Sequence, residues 1–453
     1  MSEFYVHNPA TDVVEAVVPA ATATEVAAAV ERAHAGYQTW RSLPLADRVA
    51  AMRRVAELHL ERRETLAEII VRETGKTLAA ALGEVDFSAD IYAYYADIAA
   101  EALADEPIEL RGGTGSAVLR REPLGVLLGI MPWNYPYYQV ARFAAPNLTA
   151  GNAVVIKHAP QCPESAAALE QLFAEALPAS AYVNLYAGID QIESVIADDR
   201  VRGVSLTGSE RAGAAVAEIA GRHLKKVVLE LGGSDPFILL STDDMAASVT
   251  AATAARLENT GQACNAAKRF IVADGLYEEF LDAFTAAITS APVGNPSDPA
   301  TVLGPLSSQT AASRLGDQVA SAVAGGAAVS QPFAPHGAYF PGTVLTDVTP
   351  SNLAYGDEFF GPVAMVFRAD SEDEAIRVAN DTAYGLGSYV FSTDEAQAMR
   401  VAEQLDAGMV FINVVGAESA ELPFGGIKRS GFGRELGKYG FEEFINKKLY
   451  RIG

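Results

Sequence analysis

The chain has 453 residues, of which 50% are hydrophobic and 20% are charged. These proportions are typical of a globular protein long enough for two or three domains, and they exclude a wholly disordered or fibrous chain. Lys and Arg number 34 against 57 Asp and Glu, and the resulting formal net charge of −23 disfavours binding to nucleic acid or to an anionic membrane surface.

Cysteine usage and the N-terminal segment bear on where the protein resides. The two cysteines, Cys162 and Cys264, are too few for a disulfide framework. The first residues lack the basic and apolar regions of a secretory signal, and no window reaches the ~18 uncharged apolar residues that a membrane span needs. We therefore expect a soluble, cytoplasmic protein that does not act at a membrane.

The first hundred residues follow a short opening strand and carry apolar residues at helical spacing. We predict helices over Thr24–Trp40, with Thr24 as the N-cap, and over Ala46–Glu73 and Leu78–Leu103.

From about residue 116, short apolar runs alternate with helical stretches, which is typical of a parallel sheet covered by helices. The predicted strands are Val126–Met131, Ala153–Lys157, Val201–Thr207 and Lys226–Leu231. The predicted helices are Ala141–Ala150, Pro163–Ala176 and Gly213–Leu224. Such sheets bind ligands beyond the carboxyl ends of their strands, so the chemistry is expected just after each strand.

A second α/β run follows residue 232. Its predicted helices are Met245–Asn259, Leu276–Ser290 and Gln309–Ala324. Its predicted strands are Arg269–Ala273, Ala364–Phe367, Ser388–Phe391 and Met409–Asn413. The segments Leu103–Arg121 and Gly440–Gly453 fit neither run, and we expect them to be extended parts of a small bridging element.

Cys264 follows the turn Asn-Thr-Gly-Gln at 259–262. This turn allows tight backbone geometry that presents the thiol together with its own N–H, as attack on a carbonyl requires. An isolated cysteine is more often a small buried hydrophobic residue, so the interpretation depends on what surrounds it.

Two further residues fit the same chemistry. Glu230 ends a predicted buried strand, where desolvation raises a carboxyl pKa toward that of a general base; a bond to the following Gly-Gly turn is the structural alternative. Asn134 follows another strand and offers an uncharged N–H donor for an oxyanion. The six histidines are scattered, so no metal site is predicted.

Seven motifs occur in an order that resembles the aldehyde dehydrogenase superfamily over essentially the whole chain. They are PWNYP at 132–136, VVIKHAP at 154–160, LTGSERAG at 206–213, ELGG at 230–233, NTGQAC at 259–264, EFFGPV at 358–363 and LPFGGIKRSGFGRELG at 422–437. The resemblance implies an α/β fold with a variant Rossmann cofactor domain at 1–103 and 125–231, and a catalytic domain at 232–434. It also implies a bridging element, 104–124 with 435–453, that forms a homodimer or homotetramer.

The resemblance implies a mechanism as well. Cys264 would attack an aldehyde, while Asn134 and the Cys264 N–H would stabilise the oxyanion. Glu230 would activate the water that hydrolyses the resulting thioester. Relatives that pass the acyl group to coenzyme A usually lack this glutamate, so its presence favours hydrolysis to the carboxylic acid.

The same resemblance implies NADP or NAD as the cofactor. The implied contacts are Trp133, Lys157, His158, Ala159, Pro160, Gly208, Ser209, Leu231 and Glu358. Gly208 and Ser209 would hold the pyrophosphate at a helix N-terminus, Glu358 the nicotinamide ribose, and Lys157 the adenine ribose or its phosphate. Many NAD-preferring relatives carry a glutamate where Pro160 stands, and without that carboxylate no repulsion opposes a 2′-phosphate, which favours NADP.

Within the superfamily, the chain most resembles the short bacterial succinate-semialdehyde dehydrogenases. Arg142 and Ser419 match residues that bind the distal carboxylate of the substrate in related enzymes. Three carboxylates oppose this assignment: Glu258 stands where some relatives have an arginine, while Glu418 and Glu421 flank Ser419.

If those carboxylates face the substrate, an aromatic or other short neutral aldehyde becomes the better candidate. A third possibility is a catalytically silent relative, which the presence of Cys264, Glu230 and Asn134 disfavours.

Overall fold

The computed structural model describes residues 3–332 and 335–453. The chain opens with a two-stranded antiparallel hairpin, Glu3–Asn8 with Val13–Pro19. The helices that follow are Ala23–Trp40, Leu45–Glu61, Arg63–Thr74 and Leu78–Ala102.

Two details of this helical region differ from the sequence prediction. The first helix is capped by Thr22, not Thr24: the Thr22 hydroxyl accepts from the Glu25 N–H at 3.3 Å while the Glu25 carboxylate accepts from the Thr22 N–H at 2.7 Å. This reciprocal pair satisfies two backbone donors that a helix leaves free. The predicted helix over 46–73 is interrupted at Arg62, whose backbone departs from helical geometry (φ −106°, ψ 14°).

The next sheet is mainly parallel and carries helices on its faces. Its strands, in spatial order, are Gly431–Phe432, Lys226–Glu230, Val201–Thr207, Val126–Ile130, Ala153–Lys157 and Tyr182–Asn184. Its helices are Tyr138–Ala150, Pro163–Ala176, Ile192–Ala197 and Glu210–Arg222. The antiparallel strand Gly431–Phe432 returns from the C-terminal region, whereas the sequence assigned it to the 232–434 unit.

A second mainly parallel sheet forms the core of the 232–434 unit. Its strands, in spatial order, are Ala328–Val329, Thr343–Thr346, Val363–Ala369, Arg269–Ala273, Pro236–Leu239, Tyr389–Phe391 and Phe411–Ile412. Its helices are Met245–Leu257, Asp274–Thr289, Gln309–Ala324, Glu372–Asn380 and Glu395–Ala402. The prediction missed several of these short elements, whose few residues carry little periodicity.

The two segments that the sequence analysis assigned to neither α/β run form a small sheet with each other. Ile445–Ile452 runs antiparallel to Ser116–Pro123, which also pairs with Glu106–Ile108. The short helix Gly440–Glu443 leads into this sheet. Within residues 3–332 and 335–453, no helix combines the length and apolarity needed to cross a membrane.

Candidate active site

The sheet that contains Glu230 brings most of the predicted site residues to one side, where the carboxyl ends of its strands lie. Ile130 pairs with both Lys157 and Leu206, and Thr207 pairs with Glu230, so neighbouring strands end side by side. The loop that carries Trp133 and Asn134 and the turn that carries Gly208 and Ser209 therefore start from the same edge, where α/β sheets bind ligands.

The turn before Cys264 follows the helix Met245–Leu257, which belongs to the second sheet's unit, and has an unusual backbone. Asn259, Thr260 and Gly261 all lie in the left-handed region, with φ of 48°, 56° and 75°. A side chain at Gly261 would place its Cβ 2.4 Å from the carbonyl of Gly361, so the close approach requires glycine. The buried Arg256 guanidinium donates to the Gly261 carbonyl at 2.7 Å and stabilises the turn.

Asn134 joins this turn to the edge of the first sheet. Its Nδ2 donates to the Gln262 carbonyl at 3.0 Å, and the Asn259 Nδ2 donates to the Asn134 carbonyl at 3.1 Å. An amide nitrogen carries two N–H groups, so Asn134 keeps a second donor for a ligand.

Lys268 holds the other side of the Cys264 loop, a role that the sequence analysis missed. Its Nζ donates to the carbonyls of Ala263, Cys264 and Ala266 at 3.1, 2.7 and 2.9 Å, and it lies 3.8 Å from a Glu358 oxygen. The lysine is fully buried. It therefore fixes the backbone around Cys264 and links it to Glu358.

Two cavities meet at Cys264. The first, the strand-edge cavity of about 290 Å³, is lined by Pro132, Trp133, Asn134, Gln139, Thr207, Gly208, Ser209, Glu230, Leu231, Gly232, Cys264, Glu358 and Phe360. The second, the aromatic cavity of about 320 Å³, is lined by Ala80, Gly83, Glu84, Phe87, Tyr135, Tyr138, Gln139, Arg142, Glu258, Asn259, Cys264, Asn265, Gly416, Glu418 and Phe424. A thiol in both walls can meet a different ligand from each side.

The strand-edge cavity is shaped for close backbone approach. The Glu358 carboxylate accepts from the Gly233 N–H at 3.1 Å. A Cβ on Gly232 would lie 2.2 Å from the other Glu358 oxygen, so a larger residue would displace this carboxylate. Ser209 caps the helix Glu210–Arg222, and the free N–H groups of a helix's first turn attract a phosphate group.

The residues at 157–160 end the neighbouring strand. Lys157 is buried, its Nζ donates to the His158 carbonyl at 3.1 Å, and burial lowers the pKa of its ammonium to about 8. Burial also lowers the pKa of His158 to about 3, so its ring is neutral. Buried Ala159 and exposed Pro160 follow, and the Pro160 carbonyl accepts from the Tyr5 N–H at 3.0 Å.

The two groups expected to exchange protons are both shifted toward their neutral forms. Burial raises the pKa of Cys264 to about 12, while the Arg142 charge acts in the opposite direction. Burial raises the pKa of Glu230 well above its ordinary value, again opposed by Arg142. Neither Glu230 oxygen has a hydrogen-bond partner in the described part of the chain, which leaves this carboxyl free to act on a ligand.

Arg142 lines the aromatic cavity, but one side of its guanidinium is already paired. Its Nε donates to Glu435 at 2.7 Å, its Nη1 donates to the Tyr138 hydroxyl at 3.3 Å, and its charge lies 4.2 Å from the centre of the Phe424 ring. Its Nη2 has no hydrogen-bond partner among the described residues. Arg142 can thus offer both N–H groups of Nη2 to a substrate, while its full charge is offset by Glu435.

Two of the three carboxylates that opposed the semialdehyde assignment line the aromatic cavity. Glu258 accepts from the Tyr135 hydroxyl and Glu418 from the Asn265 amide, both at 2.6 Å. Burial, followed by the nearby Glu258 charge, raises the pKa of Glu418 to about 7. Glu421 is exposed and outside this wall.

Ser419 stays a prediction. Of the described residues in its loop, Gly416 and Glu418 line the aromatic cavity and Ser419 does not. Its carbonyl accepts from the Leu422 N–H at 3.1 Å. The neighbouring Glu418 is the residue of this loop that brings a carboxyl group to the cavity wall.

Cys162 is fully buried. Burial raises the pKa of the Cys162 thiol well above its ordinary value, which is typical of an inert, packed cysteine. The described residues contain no group of His, Cys, Asp and Glu side chains that could hold a metal ion.

Comparison with known proteins identifies the family and the fold. The sequence model of the aldehyde dehydrogenase family matches residues 1–450. A succinate-semialdehyde dehydrogenase (NADP(+)) of Deinococcus radiodurans is 54% identical over 98% of this chain and 94% of its own, and one of Mycobacterium ulcerans is 44% identical over 98% and 99%. The crystal structure of succinic semialdehyde dehydrogenase from Streptococcus pyogenes with NADP+ superposes with a TM-score of 0.96 at 43% identity, covering 99% of each chain.

Proposed function

The chain belongs to the aldehyde dehydrogenase family, and on that premise we propose that it oxidises succinic semialdehyde to succinate with NADP+. The observation that carries the proposal is the position of Cys264 in the walls of both cavities. The aldehyde would enter from the aromatic cavity, and the residues of the strand-edge cavity would hold the cofactor.

Cys264 is the nucleophile in this proposal. Its sulfur attacks the aldehyde carbon, and the second N–H of Asn134 and the Cys264 N–H stabilise the developing oxyanion. The hydrogen bonds of Asn134 and Lys268 hold both donors in place before the substrate binds, so little reorganisation is needed as the charge develops.

Glu230 is the base that activates water for hydrolysis of the Cys264 thioester. It lines the strand-edge cavity with Cys264, and burial raises its pKa, which makes this carboxyl a stronger base than an exposed glutamate. The Arg142 charge favours the ionised forms of both groups.

The residues of the strand-edge side fit a nicotinamide dinucleotide. Gly208 and Ser209 would hold the pyrophosphate, Glu358 a ribose, and Lys157 the 2′-phosphate that distinguishes NADP from NAD. NADP+, when bound, supplies the acceptor for the hydride of the aldehyde. Glu358 is already oriented by the Gly233 N–H and Lys268.

Two observations support succinic semialdehyde as the substrate. Relatives that cover nearly the whole chain carry that activity in their names. Arg142 presents an unpartnered Nη2, counted over the described residues, in the wall next to the nucleophile, and such a donor can bind the distal carboxylate.

A short neutral or aromatic aldehyde is the second candidate. Glu258 and Glu418 place negative charge in the same wall, and the rings of Phe87, Tyr138 and Phe424 make it largely aromatic. A substrate without a carboxylate avoids that repulsion.

Steady-state kinetics with a panel of aldehydes distinguishes these candidates. Succinic semialdehyde, glutaric semialdehyde, benzaldehyde and butanal are each assayed with NADP+ and with NAD+, following absorbance of the reduced cofactor. The proposal predicts the highest kcat/KM for succinic semialdehyde with NADP+. A higher kcat/KM for benzaldehyde or butanal would show that the proposed substrate is wrong. A higher kcat/KM with NAD+ would show that the proposed cofactor is wrong.

We also infer that the protein forms a homodimer or homotetramer. Ile445–Ile452 is an edge strand with exposed apolar residues, including Leu449 and Ile452 at 59% and 60% exposure. Such an edge pairs readily with another chain. Light scattering after size exclusion measures the assembly, and a monomeric mass would contradict the inference.

A further inference from the structure

The Lys268 side chain reaches the backbone on both sides of Cys264. Its Nζ donates to the carbonyls of Ala263, Cys264 and Ala266 at 3.1, 2.7 and 2.9 Å, and the residue is fully buried. A carbonyl oxygen only accepts hydrogen bonds, so these contacts use three N–H groups. A neutral amine has two N–H groups and an ammonium has three, so the contacts hold Lys268 in its charged form.

The charge of Lys268 is less compensated than that of Arg142, the other cation that acts on Cys264. Arg142 donates to Glu435 at 2.7 Å. The carboxylate oxygen nearest to the Lys268 Nζ belongs to Glu358 and lies 3.8 Å away, which is beyond hydrogen-bond distance. More of the Lys268 charge therefore acts on its other surroundings.

The charges around Cys264 oppose one another. Burial is the largest cause of the raised pKa of its thiol, and the charges of Arg142 and Lys268 lower this pKa. The charges of Glu230 and Glu358 raise it. A neutral residue in place of Lys268 would leave both carboxylates opposed by Arg142, whose charge is already paired.

The peptide groups at Cys264 also suit a negative charge. Lys268 binds the carbonyls of Ala263 and Cys264, and in a trans peptide the following N–H points to the opposite side. These N–H groups belong to Cys264 and Asn265, and neither has a hydrogen-bond acceptor within residues 3–332 and 335–453. Both N–H dipoles therefore point away from the ammonium, and the bond to the carbonyl of the same peptide strengthens them as donors.

From this buried charge and these contacts we infer that Lys268 is a positioning residue that favours the thiolate form of Cys264. The inference rests on the proposed nucleophilic role of Cys264 and adds a physical cause for its reactivity. Hydrogen bonds from a neutral donor could also hold the loop, so the charge is the property that the test isolates.

The test measures alkylation of Cys264 by iodoacetamide at about pH 8, without aldehyde or cofactor. All proteins carry Cys162→Ala, which leaves Cys264 as the one thiol of the sequence. The thiolate is the species that reacts, so below the pKa of the thiol the rate follows the thiolate fraction. Lys268→Gln removes the charge and keeps two N–H donors for the carbonyls.

We expect Lys268→Gln to slow alkylation by about threefold. A pKa higher by about one unit lowers the thiolate fraction tenfold, and the greater nucleophilicity of a more basic thiolate offsets part of that loss. Lys268→Met also removes the charge and gives the same comparison if Lys268→Gln does not fold.

A purely structural role of Lys268 would change the rate in the opposite direction. Burial raises the pKa of Cys264, so a loop that loosens without Lys268 would expose the thiol to water and alkylation would become faster. An unchanged or faster rate in the Lys268 variants therefore overturns the inference.

Lys225→Met is the matched control. The Lys225 Nζ also donates to backbone carbonyls, those of Asp198 and Val201 at 3.0 and 2.7 Å. Lys225 directly precedes a strand whose opposite end is Glu230, so its charge is remote from Cys264. The control should leave alkylation unchanged, and an equal slowing there would overturn the inference.

Failure of this inference and failure of the proposed function give different results. Lys268 variants that are alkylated at the wild-type rate, while the wild-type enzyme oxidises succinic semialdehyde, overturn the inference alone. A wild-type enzyme that oxidises none of the aldehydes would instead overturn the proposed function.

Discussion

The two cavities that meet at Cys264 are built in different ways. The strand-edge cavity is lined mainly by residues at or just after strand ends, with Gly232 and the cap at Ser209 allowing close backbone approach. The aromatic cavity is formed by side chains from remote segments, and its charges are partly paired and partly unpaired. Under the proposed function, the first cavity would hold the cofactor and the second would select the aldehyde.

The largest effect should come from Cys264, which both cavities share. Cys264→Ala removes the atom that bonds to the substrate, so we expect aldehyde oxidation to fall by at least about 10⁴-fold. Binding of NADP+, measured by titration calorimetry, should persist because the strand-edge wall is otherwise intact. Cys162→Ala is the matched control, and its activity should stay near wild type; activity that survives in Cys264→Ala would contradict the mechanism.

The variant Glu230→Gln tests the strand-edge cavity, where Glu230 lies with Cys264. Glu230→Gln keeps the shape of the side chain but removes the base, so turnover should fall by about 10²- to 10⁴-fold. Rapid mixing should still give a burst of NADPH close to the enzyme concentration, because thioester formation precedes the lost step. A linear time course without a burst would mean that Glu230 acts before the thioester forms.

Lys157 tests cofactor choice at the neighbouring strand end. Lys157→Met removes the buried ammonium, and we expect the KM for NADP+ to rise about tenfold, the scale of a phosphate contact. The KM for NAD+ should change little, since NAD+ has no 2′-phosphate. An equal rise for both cofactors would place Lys157 at a shared part of the dinucleotide.

The smallest expected effect is the pH dependence of the KM for an aldehyde bound in the aromatic cavity. Glu418, with its pKa raised to about 7 by burial and by Glu258, is neutral below that pH and negative above it. The KM for succinic semialdehyde should therefore rise by about threefold as the pH increases through 7. Tyr138 and Tyr389, which also face Glu418, stay neutral because burial raises their pKa values.

Glu418→Gln should flatten this rise, and the KM for butanal should show no such dependence. A KM for succinic semialdehyde that falls with increasing pH would contradict the assigned charge of Glu418.

The sequence correctly predicted the features that depend on local residue patterns, such as strands and their ends. It identified the strands Ala153–Lys157 and Val201–Thr207 correctly, and strand ends implied where Glu230 would lie. It missed Glu435, whose partner Arg142 is 293 residues away, and Lys268, whose acceptors are backbone carbonyls. Such partners depend on tertiary packing, which periodicity does not describe.

The most direct test of the account is to trap the acyl group on Cys264. Glu230→Gln is incubated with succinic semialdehyde and NADP+, quenched in acid, digested and analysed by peptide mass spectrometry. The account predicts a succinyl thioester on the peptide that contains Cys264, in an amount close to that of the enzyme. An unmodified Cys264 peptide after a full burst of NADPH, or a succinyl group on Cys162, would contradict it.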